Sequence, residues 1–238
     1  IKMLYQKEIE KLETEASTFS QERYVAKQLL ELHKEALKRD NFTVLELGVD
    51  KGHSTRVFLN AADQKGGRLV SVDIVDCSNV AESKDWTFVE QDSADCEKLL
   101  SEAPFLKDGI DILYVDSLHE YKHVKKEIFN YFPYMKKGGV IFFDDVDSTP
   151  YMLFQRKDNL KVEIANRKIQ KLLDALFISN IGMFDYSTIR GSTGLSRLDI
   201  LCPMGSKLEE PYLPIDRNSY ILWFPWWAIS FLKRKIFK

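Results

Sequence analysis

The chain has 238 residues, of which 45% are hydrophobic, which is enough for one α/β domain with modest additions. Its 34 basic and 36 acidic residues give a formal net charge of -2, so nucleic acid is excluded as a default partner. Cys77, Cys96 and Cys202 lack metal-ligand spacing, which favours reduced thiols in a cytoplasmic enzyme over a disulfide framework. No signal peptide opens the sequence, and its first residue is Ile1 rather than Met, so the sequence could be one domain of a longer protein.

Helical and apolar patterns alternate along the chain. Apolar residues at helical spacing predict an amphipathic helix over 20–39, and the Glu- and Lys-rich segment before it predicts a solvated helix. Predicted strands and helices then follow at 42–47 (strand), 54–62 (helix), 68–74 (strand), 87–90 (strand), 94–101 (helix), 112–116 (strand), 119–135 (helix), a turn at 136–139 and a strand at 140–144. This order favours an α/β fold with a doubly wound, mostly parallel Rossmann-like sheet.

The regular alternation ends after Asp145. Residues 147–159 are predicted to form a loop over the sheet, followed by a helix at 165–178. Two further strands, at 182–186 and 197–201, are expected to form a C-terminal antiparallel pair joined by a flexible connection at 190–194. The predicted organisation is an N-terminal helical segment (1–40), a central ligand-binding domain (41–205) and an aromatic tail (206–238).

Three acidic residues close two of the apolar strands: Asp116 ends one, and Asp144 and Asp145 end the other. Ligands of open α/β sheets bind outside the carboxyl ends of the strands, so these side chains should meet in one crevice. Carboxylates that share a site repel one another, and a hard divalent cation with oxygen ligands relieves that repulsion. The pattern predicts a metal site, with Mg²⁺ favoured and Mn²⁺ as the alternative.

A glycine turn, Glu46 to Thr55, connects the first predicted strand to its helix. Its Gly48 and Gly52 do not have the Gly-x-Gly-x-x-Gly spacing of a pyrophosphate site, and the leading acid favours a ligand with positive charge. Asp73, at the end of the second strand, is placed to bind ribose hydroxyls. Asp92 and Ser93, after the third strand, could contact an adenine edge. The competing interpretation is a plain strand–helix connection with Asp73 as a helix cap.

These motifs resemble those of class I S-adenosylmethionine-dependent methyltransferases over about residues 20–145. The resemblance implies S-adenosylmethionine as cofactor, with Glu46 near its amino-acid end and Gly48 and Gly52 beneath it. It also implies Asp73 at the ribose and Asp92 with Ser93 at the adenine. Ser54 and Thr55, in the same turn, complete the predicted cofactor-binding set.

Asp116 with Asp144 and Asp145 is similar to the metal triad of divalent-cation-dependent O-methyltransferases, and the paired aspartates resemble the macrocin/novobiocin-type sugar enzymes. Asp116-x-x-His119-x-Tyr121 resembles a bacterial set associated with glycan and antibiotic biosynthesis. The resemblance implies a sugar hydroxyl of a glycan, polysaccharide or glycosylated metabolite as acceptor. A metal-bound hydroxyl loses its proton more readily, and His119 is the candidate base, with Asp116 as its catalytic partner.

Three alternatives remain. The acceptor could be a catechol or another small phenol, or the chain could be a non-catalytic cofactor-binding module at a membrane. His119-Glu120-Tyr121-Lys122-His123 also matches the His-Glu-x-x-His zinc motif. The zinc reading is disfavoured because the motif opens a helix directly after a buried strand and lacks a downstream third ligand, Glu127 being too close.

The remaining signals are less specific. Tyr151, Arg156 and Arg190 could contact a substrate or be surface charge, and Trp86 is interpreted as packing. The aromatic segment 220–238 ends in a basic cluster and is short for a membrane-spanning helix, which needs about 20 residues. It could form peripheral membrane contacts, pack on the domain, or join a homodimer. The predicted localisation is cytoplasmic, with peripheral membrane contact as an addition.

Overall fold

The computed structural model describes residues 4–19, 22–146, 160–191 and 193–211, together with 224–225, 228–229 and 232. Within these residues the helices are α1 (Gln6–Ser17), α2 (Glu22–Leu37), α3 (His53–Lys65), α4 (Cys96–Glu102), α5 (Tyr121–Tyr131) and α6 (Leu160–Ser179), with short 3₁₀ turns at Pro104–Asp108 and Phe132–Tyr134. The strands are β1 (Thr43–Leu47), β2 (Arg68–Asp73), β3 (Trp86–Glu90), β4 (Ile110–Val115), β5 (Met135–Asp144), β6 (Phe184–Ile189) and β7 (Leu195–Ile200).

The described strands form one sheet in the order β3-β2-β1-β4-β5-β7-β6. Strands β1 to β5 pair in parallel, whereas β7 runs antiparallel to both β5 and β6. The prediction of a mostly parallel, doubly wound α/β sheet with a C-terminal antiparallel pair is confirmed. The strand order reverses between β1 and β4, and a ligand crevice is expected outside the carboxyl ends of those two strands.

Side chains alternate between the two faces of the sheet, and each face has its own hydrophobic cluster. In β1, Leu45 and Leu47 join the cluster with α4, α5 and α6, whereas Val44 joins the cluster with α1, α2 and α3. Strand β5 follows the same rule, since Phe143 and Phe142 lie in opposite clusters. Helices on both faces explain why the strands are apolar along their whole length.

Three local expectations were wrong. Helix α1 is not simply solvated, because Ile9 and Leu12 are buried in the cluster that α1 shares with α2 and α3. The helix expected from His119 begins at Tyr121. The turn expected at 136–139 lies inside β5, where a register irregularity opposite Ile110–Ile112 accommodates the extra residues.

The boundaries of the predicted N-terminal segment and tail remain predictions. Both core clusters nevertheless meet at the same sheet, and α1 and α2 pack on its face. In the part of the chain that the structure describes, no helix has an apolar stretch long enough to span a bilayer. Most of the aromatic segment 220–238 lies outside the described residues, as does the whole of the predicted 147–159 loop.

Candidate active site

The turn after β1 packs directly against the end of β4. The Gly48 N–H donates to the Val72 carbonyl at 2.8 Å, and the Asp116 N–H donates to the Leu47 carbonyl at 2.8 Å. Gly48 has a φ of +94°, and a Cβ atom there would lie 2.0 Å from the Asp116 carbonyl oxygen. Glycine is therefore required at this position both by the backbone conformation and by the close approach of Asp116.

A cleft of about 690 Å³ opens at the carboxyl ends of β1 to β4. Of the sequence-predicted residues, it brings together Gly48, Asp73, Asp92, Ser93 and Asp116. The described lining residues include five aspartates and no lysine or arginine, alongside apolar side chains such as Val75, Val80 and Leu118. This lining disfavours a phosphate group and fits a ligand that combines positive charge with a flat apolar ring. S-adenosylmethionine has both.

Asp73 joins the end of β2 to the glycine turn. Its Oδ2 accepts the N–H groups of Val49 at 2.9 Å and Asp50 at 3.3 Å, and its Oδ1 accepts the Val75 N–H at 3.0 Å. Each carboxylate oxygen has more than one acceptor site, so these contacts leave capacity for a ligand hydroxyl. Asp50 has a φ of +45°, which places a strained residue in the same turn.

Glu46 lies beneath the turn, completely buried. It accepts hydrogen bonds from the hydroxyls of Ser54 at 2.5 Å, Thr55 at 2.8 Å and Ser71 at 2.6 Å. Burial raises its pKa to about 7, against the lowering effect of these hydroxyls, and the charge of Asp116 adds to the rise. The structure thus brings Glu46, Ser54 and Thr55 together, but Glu46 and Thr55 are buried and do not line the cleft.

Gly52 does not line the cleft, whereas Asp92 and Ser93 do. Gly52 precedes α3 with a φ of +71° and packs against Val80. Asp92 is exposed, and its Oδ1 accepts the Ala94 N–H at 2.8 Å. Ser93 is buried, and its hydroxyl donates to Glu127 Oε1 at 2.5 Å. The Ser93 side chain is therefore held by protein atoms behind the cleft wall.

The three aspartates predicted as metal ligands share contacts with Tyr114 and His119 near the carboxyl ends of β4 and β5. The buried Tyr114 hydroxyl donates to Asp116 Oδ2 and Asp144 Oδ2, both at 3.1 Å. Asp144 Oδ1 accepts the Thr193 hydroxyl at 3.0 Å and the Asp145 N–H at 2.8 Å. Burial, followed by the charges of Asp116 and Asp145, raises the pKa of Asp144 well above its usual value. Ionising all three carboxylates at this position is energetically costly, and a nearby positive charge would reduce that cost.

His119 supplies one such partner. Its Nε2 lies 3.5 Å from Asp116 Oδ1 and 3.4 Å from Asp145 Oδ2. Burial lowers the pKa of His119, but the hydrogen bond that its ring donates to Asp116 and the charges of the surrounding carboxylates raise it to about 8. Asp145 has a φ of +55°, a left-handed conformation that costs a non-glycine residue about 1–3 kcal/mol and that often occurs at functional sites.

The donor chemistry of the site fits a hard divalent cation, since its carboxylates supply oxygen ligands and repel one another. No group of three or more His, Cys, Asp or Glu side chains in the described ranges is already arranged as a metal-ligand set. In this structure the Tyr114 hydroxyl and the His119 ring lie between the carboxylates instead. Asp116, Asp144 and Asp145 are the residues that would hold the cation.

The His-Glu-x-x-His motif does not form a zinc pair. His119 precedes α5 and contacts Asp116 and Asp145. His123 lies in the first turn of α5, and its Nε2 faces Ser93 at 3.0 Å and Glu127 at 3.2 Å. The two imidazoles therefore contact separate groups. This arrangement is consistent with the argument against a zinc site at the His-Glu-x-x-His motif.

A second cleft of about 370 Å³ lies between the α1–α2 helices and the sheet. Val49, Asp50 and Asp116 line both clefts, and Asp144 and Tyr114 line the second. The sequence analysis did not anticipate α1 in this wall, nor Tyr114 and Thr193 as contacts of the aspartates. The contact of Tyr114 with Asp116 could have been predicted from the sequence, because side chains two residues apart along an extended strand point to the same face.

The less specific candidates have simple surroundings. The Trp86 indole N–H donates to the Ser71 hydroxyl at 2.9 Å, and the ring packs against the α1–α3 cluster, as predicted. Arg190 is exposed between β6 and β7, where its charge acts on Asp174. Tyr151 and Arg156 lie outside the described residues.

Comparison with known sequences identifies a methyltransferase-domain family model that matches residues 45–146. A curated relative, uncharacterized protein R132 of Acanthamoeba polyphaga mimivirus, is 26% identical over 129 residues, covering 49% of this chain and 57% of its own. The chain thus spans little more than half the length of that relative.

Solved structures share the fold. The MycE methyltransferase of the mycinamycin pathway, in complex with Mg and SAH, has a TM-score of 0.57 at 19% identity over 88% of this chain and 57% of its own. SAH-bound PaMTH1 of Podospora anserina has a TM-score of 0.59 at 14% identity, covering 84% and 88%. A putative caffeoyl-CoA O-methyltransferase of Staphylococcus aureus has a TM-score of 0.54 at 15% identity, covering 83% and 95%.

The family match contains the glycine turn, Asp73, Asp92 and all three strand-end aspartates. Of these residues, Gly48, Asp73, Asp92 and Asp116 line the crevice expected of a doubly wound sheet, and Asp144 lines the adjoining second cleft. The family match over residues 45–146 and the fold shared with SAH-bound methyltransferase structures support the predicted enzyme class, an S-adenosylmethionine-dependent methyltransferase.

Proposed function

We propose that this protein transfers a methyl group from S-adenosylmethionine to a sugar hydroxyl, with Mg²⁺ or Mn²⁺ bound by Asp116, Asp144 and Asp145. The observation that carries the proposal is the position of Asp116, which lines both the cofactor cleft and the second cleft. A donor in the first cleft and an acceptor in the second would meet at this residue. The carboxylates that would hold the cation lie at the same point.

The lining of the second cleft favours a polyol over a phenol. Tyr114 is the one Phe, Tyr or Trp side chain among its described lining residues, so a flat ring would find no aromatic slot. Polar side chains instead surround it on several elements: Glu8, Lys11, Glu15, Glu22, Gln28, Asp50, Lys51, His53 and Ser54. Hydroxyl-rich acceptors need such donors and acceptors, because each buried hydroxyl must be paired.

The solved relatives support both a sugar and a metal, by analogy. One MycE structure is described as a complex with Mg, SAH and mycinamycin VI, and another neighbour, CalS11, as a TDP-rhamnose 3'-O-methyltransferase. CalS11 has a TM-score of 0.50 at 18% identity. The caffeoyl-CoA enzyme supports the phenol alternative in the same way. The polar side chains at the second cleft, which also has apolar walls from residues such as Leu12 and Leu29 but no aromatic slot, are the reason for preferring the sugar.

The residues divide the work as follows. Bound S-adenosylmethionine supplies the electrophilic methyl group, and a bound cation lowers the pKa of the acceptor hydroxyl. Tyr114 fixes the separation of Asp116 and Asp144 through its two hydrogen bonds. His119, beside Asp116 and Asp145, is the proposed base, a role that requires a bound cation to replace it as the positive partner of these carboxylates so that its ring is neutral. Orientation of donor and acceptor on a rigid strand end can lower the barrier by about 7–11 kcal/mol.

The test is methyl transfer from labelled S-adenosylmethionine to a panel of sugars, glycans and catechols, with and without EDTA. Asp144→Asn should lower kcat/KM for the acceptor by at least about 100-fold, while the Kd for S-adenosylhomocysteine changes by less than about 3-fold. Asp108→Asn, at an exposed aspartate before the opposite end of β4, is the matched control and should retain activity.

Each alternative has its own outcome. Transfer that continues unchanged in EDTA would remove the cation from the mechanism. Preferential methylation of catechols would establish the phenol reading. Tight binding of S-adenosylhomocysteine without transfer to any acceptor would favour the non-catalytic module.

A further inference from the structure

A polar cluster forms part of one wall of the cofactor cleft, with a buried carboxyl group behind it. Its centre is Glu127 on α5, which is completely buried. Glu127 Oε1 accepts the hydroxyl of Ser93 at 2.5 Å and that of Ser117 at 2.6 Å, and it lies 3.2 Å from His123 Nε2. The Ser93 hydroxyl also pairs with His123 Nε2 at 3.0 Å. We call Ser93, Ser117, His123 and Glu127 the Glu127 cluster.

The cluster joins three separate elements. Ser93 follows β3, Ser117 follows β4, and His123 lies in the first turn of α5. These three residues line the cofactor cleft, whereas Glu127 does not. Glu127 thus holds the wall from behind, and its removal would release both strand-end loops and the imidazole together.

A buried carboxylate is costly, and this one is incompletely satisfied. Glu127 Oε2 is buried and has no hydrogen-bond partner in the described part of the chain. Replacing a buried charged pair by apolar residues of similar volume is often neutral or stabilising, so stability alone is a weak reason for this arrangement. The hydrogen bond to Glu127 raises the pKa of His123 against the effect of burial, in keeping with a charged pair.

The cluster lies where the base of a bound nucleoside would be. The methyl group must be near Asp116, where the two clefts meet, and Asp73 at the end of β2 is placed for the ribose. The base attached to that ribose then extends toward β3, between the loops that carry Ser93 and Ser117. Leu118, with 54% of its surface exposed, offers an apolar wall there.

We propose that Glu127 is a positioning residue for the cofactor: it fixes His123 and the loops after β3 and β4 so that together they form the adenine slot. This inference rests on the proposed use of S-adenosylmethionine. Glu127 acts through its three partners and does not itself touch the cofactor.

The test replaces Glu127 by Gln, which keeps the shape but removes the charge that holds His123. We expect Glu127→Gln to raise the Kd for S-adenosylhomocysteine and the KM for S-adenosylmethionine by about 10-fold, with kcat changed by less than about 3-fold. Glu97→Gln, at an exposed glutamate on neighbouring α4, is the control and should leave all three constants unchanged. Ser117→Ala, which removes a single hydroxyl, should raise the Kd by about 3-fold and provides a milder variant.

A second readout separates positioning from simple stabilisation. The wild-type protein should bind S-adenosylhomocysteine more tightly than S-inosylhomocysteine, which differs only in the base, and Glu127→Gln should reduce that preference. A variant that melts at a lower temperature but keeps the Kd and the base preference within about 2-fold of wild type would overturn the proposal. Wild-type protein that binds S-adenosylhomocysteine but methylates no acceptor would instead refute the proposed function, and the binding comparison would still decide the role of Glu127.

Discussion

The unfolding free energy of the Glu46→Gln variant, measured relative to wild type, should be higher at pH 8 than at pH 4.5. Glu46 is completely buried and surrounded by the hydroxyls of Ser54, Thr55 and Ser71. Burial raises its pKa from 4.5 to about 7 despite these hydroxyls. Glutamine has nearly the same shape and no charge, and the hydroxyls can rotate to accept from its amide.

The sign follows from proton binding. Between pH 4.5 and about 7 the folded protein keeps a proton on Glu46 that the unfolded chain releases, so wild-type stability falls as the pH rises. A rise in pKa from 4.5 to about 7 corresponds to about 3 kcal/mol, at about 1.4 kcal/mol for each pKa unit. Below pH 4.5 Glu46 is protonated in both the folded and the unfolded state, so its effect on the unfolding free energy disappears. Above pH 7 Glu46 is ionised in both states, and the effect is constant.

The assay is urea unfolding followed by circular dichroism at pH 4.5, 6 and 8, without cofactor and with EDTA present. The difference in unfolding free energy between Glu46→Gln and wild type should shift by about 3 kcal/mol in favour of Gln across this range. Taking the difference cancels the titration of groups that do not interact with Glu46. The exposed control Glu97→Gln should show a shift within about 0.5 kcal/mol. A difference that is independent of pH, or that shifts in favour of wild type, would refute the reasoning.

Two further changes test the buried charges and the glycine turn. The side chain of Glu35 is only 3% exposed, and burial acts to raise its pKa. Hydrogen bonds from Arg197, Lys38 and Arg39 outweigh this effect and lower the pKa to about 2. Glu35→Gln should therefore cost about 3 kcal/mol of unfolding free energy at pH 7. This loss should diminish as the pH falls from 4.5 toward 2, because Glu35 then becomes protonated in the wild type. An equal loss at pH 7 and pH 2.5 would contradict the lowered pKa of Glu35. Gly48→Ala should destabilise the fold by about 2–5 kcal/mol and weaken S-adenosylhomocysteine binding, because its Cβ would lie 2.0 Å from the Asp116 carbonyl oxygen. Gly205→Ala is the matched control, since Gly205 has a φ of +88° with nothing within 4 Å of a Cβ, and equal losses for the two variants would show that the contact with Asp116 is unimportant.

The ends of the strands could be predicted from the sequence, because an apolar run indicates a buried strand and the polar residues that follow it mark where the strand ends. Asp73, Asp92 and Asp116 were located in this way, and all three line the observed cleft. The boundaries were less accurate where two signals competed. The glycines near Lys137 suggested a turn, but pairing with β4 on both sides of them, at Met135 and Val140, keeps them within β5.

The direction of a side chain was harder to predict than its place on the chain. Glu46 has the position of a ligand-facing acid, yet the hydroxyls of Ser54, Thr55 and Ser71 hold it in the interior. His119 and His123 share a sequence motif, yet they contact different groups because α5 begins between them. Such outcomes depend on contacts between residues that are distant in sequence.

The sequence by itself determined the alternating α/β fold and the set of carboxylates at the strand tips, because hydrophobic periodicity is a local property that fixes where each strand begins and ends. Only the tertiary structure decided that Tyr114 bridges Asp116 and Asp144, that Glu127 fastens two loops from behind, and that α1 closes a second cleft. These features arise when strands that are far apart in the sequence are brought side by side, and the cost of burying a charge then selects which polar groups must pair.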